Sequence, residues 1–531
     1  MKINITFALF FLMLFGFGCT DKLDLLPTNE ITSESVFTNV DGYKKALAKV
    51  YGAFALTGNS GGSGSPDIPR QIISDEGNSD FLRLYWNLQE LTTDEAAWTW
   101  QNDAGIRGLK EFSWSSSNAI INGLYYRSFF QITLANNFIN QASDENLSKR
   151  GITGSDAETI KTYRAEARFL RAYQYWVLMD VFSNPPFATE NDPIGAFIPK
   201  QISRSELFDY IEKELTELEN LLIPARKNEY GRVDQGACWA LLARIYLNAQ
   251  VYTGNAHYTE SITYCKKLKE QYSLIPNYRD LMLADNHLNT NEFIFVIAYD
   301  ATYTQNWGGT TYLTHGPAAV PGSISGTSGN WGGLRHTHTF VDKFTDASGN
   351  TDKRAQFYTA GQNRFMGDPY TGTDGYSSTK YRNLTRNGSK APNADPAGNW
   401  VDIDFPVFRM AEFYLTYAEA VLRGGTGGDL ATALNDVNLV RRRAYGSNAG
   451  DIRAGDLNLD FILDERAREL YYEAIRRTDL IRFDKFTSAA YLWAWKGGTL
   501  TGRAVDSKYN ICPLPSTDLS SNPNLKQNVG Y

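Results

Sequence analysis

The sequence predicts a mainly α-helical protein, with helix pairs stacked into an α–α superhelix and a loop-rich, partly irregular face carrying a few short strands. Three observations lead there. Apolar residues recur at helical spacing through the N-terminal half and again near the C-terminus. Small residues alternate with large ones on those helices. The intervening stretch, residues 301–399, changes texture to Gly, Thr, Asn and Asp with isolated aromatics.

The chain opens with Lys2, an apolar run over residues 3–17, then Gly18 and Cys19. A basic start and a short apolar segment read as an export signal, since a membrane span needs about 20 apolar residues. The segment resembles a bacterial lipoprotein signal, which implies a signal peptide over residues 1–18, lipidation of Cys19 and a tether over residues 19–35. Gly16 and Phe17 depart from the usual lipobox, where Leu and a small residue stand. An ordinary signal with an incidental Cys19 is the alternative.

Residues 41–56 place Tyr43, Leu47, Val50, Tyr51 and Phe54 on one helical stripe. A second helix is expected over residues 125–142. Ser155 with Glu158 has the spacing of a capping box and opens a long helix through TYRAEARFLRAYQYWVLMDVF. Ser203 with Glu206 opens another, closed near Pro224. DQGACWALLARIYLNAQVY and YTESITYCKKLKEQY follow as a helix pair. EFIFVIAY, residues 292–299, reads as a strand. Helices return in FRMAEFYLTYAEAVLRG, DLATALNDVNLVRRRA and LDERARELYYEAIRRTDLIRF.

Ala165, Ala167 and Ala172 stand beside Phe169 and Tyr173, and Ala237, Ala240 and Ala243 beside Trp239 and Tyr246. Small residues let two helices approach while large ones fill the next groove. The two sets lie about 72 residues apart, near two periods of ~34, which is the tetratricopeptide-like spacing in degenerate form.

A chain of 531 residues with 42% apolar content can bury a large core, in one composite unit or two subdomains. The net charge of −7 offers no basic surface for a nucleic-acid backbone. Aromatics reach 13%, and aromatic faces are what sugar rings stack against. Cys238, Cys265 and Cys512 have no zinc spacing and cannot all pair. Buried free thiols are the default, with a Cys238–Cys265 disulfide conceivable. His336 and His338 could share a strand face as metal ligands, but surface histidines are the simpler reading. The loop DASGNTD, residues 346–352, lacks the residue order of a calcium loop. GNSGG, residues 58–62, fits a nucleophile-elbow pattern without the strand and helix that pattern requires. No Walker or dinucleotide fingerprint is present. Neither a cofactor nor a resident metal is expected.

The helical blocks taken together resemble the SusD/RagB outer-membrane nutrient-binding lipoproteins. The blocks are EARFLRAYQYWVLMDVFSNPPF from Glu166, GRVDQGACWALLARIYLNA from Gly231, FPVFRMAEFYLTYAEAVLR from Phe405, LDERARELYYEAIRRTDLIRF from Leu463 and the tail LPSTDLSSNPNLKQNVGY from Leu514. The resemblance implies a tetratricopeptide-like N-terminal region over residues 36–290 and a C-terminal region with ligand-face loops over residues 291–531. It also implies a non-catalytic protein that binds a nutrient, usually a glycan, and delivers it to a TonB-dependent transporter of the SusC type. A surface glycoside hydrolase and a scaffold lipoprotein are the alternatives. Within these blocks, Glu166, Arg168 and Arg171, and likewise Glu465, Arg466, Arg468 and Glu469, read as ion pairs between turns and neighbouring helices, not as an acid–base site.

Sugar binding asks for flat aromatic faces and short polar side chains, because a buried hydroxyl without a partner costs about 1–3 kcal/mol. Two neighbourhoods qualify. LTTDEAAWTWQNDAG, residues 91–105, holds Trp98, Trp100, Asn102 and Asp103, with Arg83 and Trp86 upstream. Trp100 is the best match to the family's stacking Trp, since a polar pair follows it. The motif NWGG occurs twice, placing Asn306 and Trp307, then Trp331, beside flexible glycines, with Tyr312 nearby.

Overall fold

The structure, a computed structural model, describes residues 33–531 apart from 60, 63, 65 and 194–196. The expected signal peptide, Cys19 and most of the tether lie outside the described residues, as does Ser60 of the GNSGG motif.

Twelve helices of seven or more residues are present among the described residues. The first six are α1 (Val40–Gly52), α2 (Phe81–Glu90), α3 (Ala119–Gln141), α4 (Gly154–Phe182), α5 (Arg204–Leu218) and α6 (Gln235–Leu247). They are followed by α7 (Tyr258–Gln271), α8 (Gly309–His315), α9 (Met410–Leu422), α10 (Leu430–Tyr445), α11 (Leu459–Leu470) and α12 (Arg476–Arg482). Sequential helices pack in pairs: α3 on α4, α4 on α5, α6 on α7 and α9 on α10, with α7 joining α9. The alanines explain the close packing. Ala165, Ala167 and Ala172 of α4 and Ala237, Ala240 and Ala243 of α6 are all buried, beside Phe169 and Tyr173.

The strands are short. β1 (Ala97–Trp98) pairs antiparallel with β3 (Leu334–Arg335), β2 (Phe293–Ile297) with β6 (Phe405–Arg409), and β4 (Phe357–Tyr358) with β5 (Ser377–Ser378). β2 is the strand foreseen in EFIFVIAY. β6 differs from expectation: Phe408 and Arg409 extend a strand, and the helix opens only at Met410.

Ser203 and Glu206 form the capping box of α5. Ser155 and Glu158 do not form one, because α4 starts one residue before Ser155 with Thr153 as its cap. The last helical block is also broken in two. Tyr472 and Ala474 take φ of 61° and 59°, between α11 and α12. Glu95 accepts the Tyr472 N–H at 3.0 Å, and Asp94 clamps Arg476 at 2.8 and 2.9 Å, so tertiary bonds hold the break.

The charged helical residues are structural, and their partners lie mostly on other elements. Arg168 bonds Glu214 at 3.1 and 2.7 Å, Arg171 bonds Glu214 at 3.0 Å, and Arg232 bonds Glu166 at 3.0 Å. Glu465 accepts from Arg354 and Arg441 at 2.7 Å each, Glu469 from Arg409 at 2.6 Å, and Arg466 reaches Asp479 at 2.7 Å. Within a helix, Arg468 pairs with Glu465 at 3.1 Å. Losing one partner of such a buried pair costs about 3–5 kcal/mol, because the other charge stays buried.

Cys238, Cys265 and Cys512 are free and buried, so the conceivable disulfide does not form; the Cys238 thiol donates to the Leu215 carbonyl at 3.1 Å. His336 is buried with Nδ1 2.7 Å from the Glu95 carbonyl, and His338 accepts from the Met366 N–H at 3.3 Å. The two imidazoles serve separate packing roles. Asp346 accepts from the Ser348 N–H at 2.8 Å and Asp352 pairs with Arg354 at 2.7 Å, which leaves that loop closed on itself. Among the described residues, no three His, Cys, Asp or Glu side chains converge on a metal position.

Candidate functional site

The site grows from the segment around α2. Asp80 caps α2 through the Arg83 N–H at 2.8 Å, and the whole helix is buried. The turn after α2 is pinned from below. Lys110 donates to the carbonyls of Thr93 and Ala96, and Asp94 and Glu95 hold the α11–α12 break. β1 therefore enters the surface from a fixed base. Beyond its last residue, Trp98, the chain turns outward and Trp100 emerges 43% exposed. The Trp98 ring meets it edge-on, with centroids 5.0 Å apart at 71°. Trp98 itself is buried, and its Nε1 donates to Asp103 Oδ2 at 3.2 Å.

The facing wall comes from the loops before and after α8. The Trp331 N–H donates to the His315 carbonyl at 2.7 Å, and the Trp331 ring lies parallel to the His315 imidazole, 5.0 Å away at 12°. Gly333 must be glycine, since a Cβ there would come within 2.1 Å of the Trp98 ring. Trp307 stands 5.9 Å from Trp331 and 4.3 Å from Trp400. Its N–H donates to Glu76 at 3.2 Å and its carbonyl accepts from Arg83 Nη1 at 3.0 Å.

Between these walls lies a cleft of about 540 Å³, lined by Ser74, Asp75, Asn78, Arg83, Trp100, Asn102, Asp103, Ala104, Trp307 and Trp331. The structure thus brings Trp100, Asn102, Asp103, Trp307 and Trp331 together, although more than 200 residues of sequence separate the two groups. It places the other candidates beneath the cleft. Trp86 is fully buried and donates to the Tyr472 carbonyl at 3.1 Å. The Tyr312 hydroxyl donates to Asn87 at 2.7 Å, under the Arg83 guanidinium. Asn306 is buried; it donates to the Ala55 carbonyl and accepts the Gly308 N–H, both at 2.6 Å. With Trp98, these four make the floor that fixes the exposed rings. Their expected place in direct ligand contact is corrected accordingly.

Sequence reasoning missed Ser74, Asp75, Asn78 and Ala104, and the supporting Trp400 and His315. The cleft segment 74–80 carries no periodic pattern, and its role comes from docking against Trp307. Burial raises the Asp103 carboxyl, against the Trp98 N–H and Arg83, which lower it. Burial also lowers the His315 imidazole, which favours its neutral form beside Trp331.

A second cleft, of about 310 Å³, runs between α1 and β2 past Tyr230. Its charged rim is already paired, Lys44 with Glu229 at 2.8 Å and Arg232 with Glu166, and no tryptophan lines it. Of these two clefts, the Trp100 cleft presents both open rings and polar groups.

Residues 291–531 match the pattern described as the SusD family, and residues 72–247 match one described as "Starch-binding associating with outer membrane". A curated relative named starch-binding protein SusD, from Bacteroides thetaiotaomicron, is 36% identical, over 97% of this chain and 96% of its own. A SusD superfamily structure from Parabacteroides distasonis superposes with a TM-score of 0.70 at 21% identity, covering 94% of this chain and all of that one. Surface glycan-binding protein A from Bacteroides thetaiotaomicron, solved with laminarihexaose, superposes at 0.68 and 20% identity, covering 92% of this chain and 99% of that one. The structural likenesses show a shared fold. The identity sustained from end to end with the starch-binding relative shows the kinship, and the chain belongs to the SusD family.

Proposed function

We propose that this protein binds an oligosaccharide or polysaccharide of the starch type in the Trp100 cleft at the cell surface and leaves its bonds intact. It would hand the glycan to a TonB-dependent outer-membrane transporter of the SusC type, tethered by acyl chains on Cys19. The observation that carries the reading is Trp100, an indole left 43% exposed at a cleft mouth and braced from behind by buried Trp98. Such a ring presents a flat apolar face to the C–H face of a sugar. Arg83, Asp75, Asn78, Asn102 and Asp103 supply donors and acceptors for hydroxyls that would otherwise lose their water partners. Trp307 and Trp331 are inclined at 59°, which suits a chain that curves between sugar units better than a flat ribbon. The starch-binding relative supports an α-linked glucan.

Isothermal calorimetry with maltoheptaose, followed by product analysis, tests this. Binding without released sugars is the expected result. Turnover would support a glycoside hydrolase instead, and no affinity for any glycan would leave a scaffold. The tether has its own test. Cys19→Ala is expected to leave the membrane fraction while keeping its maltoheptaose affinity, and retention in that fraction would mean another anchor.

A further inference from the structure

The backbone of Trp307 is bonded on both its N–H and its carbonyl side. Its N–H reaches Glu76 Oε2 at 3.2 Å and its carbonyl is bonded by Arg83 at 3.0 Å. Gly77 lies directly against it, since a Cβ at that position would come within 2.6–2.7 Å of Trp307 backbone and Cβ atoms. On the far side, the Gly309 N–H donates to Asp80 at 2.8 Å, and a Cβ on Gly308 would strike the Asp80 Cβ at 2.2 Å. One short stretch, residues 76–83, thus grips the peptides on both sides of the indole. Glu76 is not among the residues lining the cleft, and its other oxygen accepts from the Thr57 hydroxyl.

We propose that Glu76 is a positioning residue for glycan binding: its carboxylate holds the Trp307 backbone so that the indole stands in the cleft wall, and the cleft binds more tightly with Glu76 ionised than protonated. The inference rests on the glycan-binding reading above. An ionised acceptor makes hydrogen bonds roughly twice as strong as a neutral one, and both Glu76 bonds are of this kind. The group is poised to change charge near neutrality. Burial pushes its pKa up to about 7, aided by the charges of Asp80 and Asp75 and opposed by the Thr57 and Trp307 bonds. Arg127, itself 3.7 Å from Asp67, faces the same cluster, and Asp80 is likewise raised by burial, to about 6.

Two quantities then move in opposite directions with pH. Because its pKa in the folded state lies above the unfolded value, Glu76 contributes stability that is fully present in acid and is lost as pH rises through about 7. Glycan affinity is expected to rise over that same window. A residue that served only to hold the fold together would change stability with pH and leave the affinity of the folded protein unchanged.

The experiment is maltoheptaose calorimetry from pH 5.5 to 8.5 on the wild type and Glu76→Gln, with thermal unfolding of each at every pH. Glutamine keeps the shape and one acceptor but cannot ionise. The wild type is expected to bind about three- to tenfold more tightly at pH 8 than at pH 6, a step of the size expected when charge-assisted bonds become neutral. Glu76→Gln is expected to remain folded, with the step between pH 6 and pH 8 reduced to whatever Asp80 contributes and an affinity at pH 8 below that of the wild type. A Glu76→Gln profile that parallels the wild type, or full wild-type affinity in Glu76→Gln at pH 8, overturns the inference and leaves the function standing. A wild type that binds no glycan at any pH overturns both.

Discussion

Trp98 and Trp100 are two residues apart, yet burial assigns them different work. Trp98 is 2% exposed, with its ring against Gly333 and its N–H on Asp103. Trp100 is nearly half open. Trp100→Ala is therefore expected to weaken maltoheptaose binding by at least about tenfold, the range of an anchoring aromatic, with little change in thermal unfolding. Trp98→Ala removes a core indole, and such changes cost about 3–5 kcal/mol of stability. Calorimetry paired with denaturant unfolding separates the two, and equal loss of stability in both variants would contradict the assignment. The polar pair Asn102 and Asp103 made Trp100 visible in the sequence. The burial of Trp98 was not visible, because it depends on pairing with the distant β3 and on Gly333, which lies against the indole ring. The same holds for Asn306, next to the site residue Trp307, and for Tyr312, five residues beyond it: both side chains point to core partners.

At the scale of elements, helix pairing was legible because it is written locally. Ala165, Ala167 and Ala172 on α4, and Ala237, Ala240 and Ala243 at steps of three on α6, mark the contact face wherever the partner helix lies. The α11–α12 break was not legible, since no Gly or Pro announces it. It is held by Asp94 and Glu95, nearly 400 residues away. The β1–β3 ladder is equally non-local, and it is the element that joins the two halves of the cleft. It pairs Ala97 with Arg335 and Trp98 with Leu334, passing Gly333 beneath the Trp98 ring. Gly333→Ala is expected to push the strands apart, costing about 1–3 kcal/mol as overpacking does. Because Trp331 sits two residues before Gly333 and Trp100 two after Trp98, glycan affinity should fall as well. Unfolding and calorimetry of this one variant check both effects, and wild-type affinity with reduced stability would show that the cleft does not depend on the ladder.

Over the whole molecule, buried bonds tie the N-terminal region to the C-terminal one. Arg244 pairs with Glu412 at 2.8 Å, Arg476 with Asp94, the Trp86 indole with the Tyr472 carbonyl, and the Tyr125 hydroxyl with Asp518 at 2.7 Å. The chain should therefore unfold in one cooperative transition, although its loop face and its helical flank look distinct in sequence. Its pH dependence follows from two opposed sets of carboxyls. For Glu465, Glu469 and Asp479, burial raises the pKa, but adjacent arginines overcome it, holding Asp479 at about 2. Depressed groups contribute stability above their unfolded pKa of about 4 and lose it as pH falls further. Burial leaves Asp404, Asp436 and Asp234 raised to about 6 and Glu76 to about 7, and the stability they contribute is lost as pH rises through those values. The two sets leave a window between them. Thermal stability is expected to peak near pH 5, decline gently toward pH 8 and collapse below about pH 4. A Tm that rises steadily from pH 5 to pH 8, or two separate melting transitions, would show that the arginine–carboxylate network does not govern the folded state as one unit.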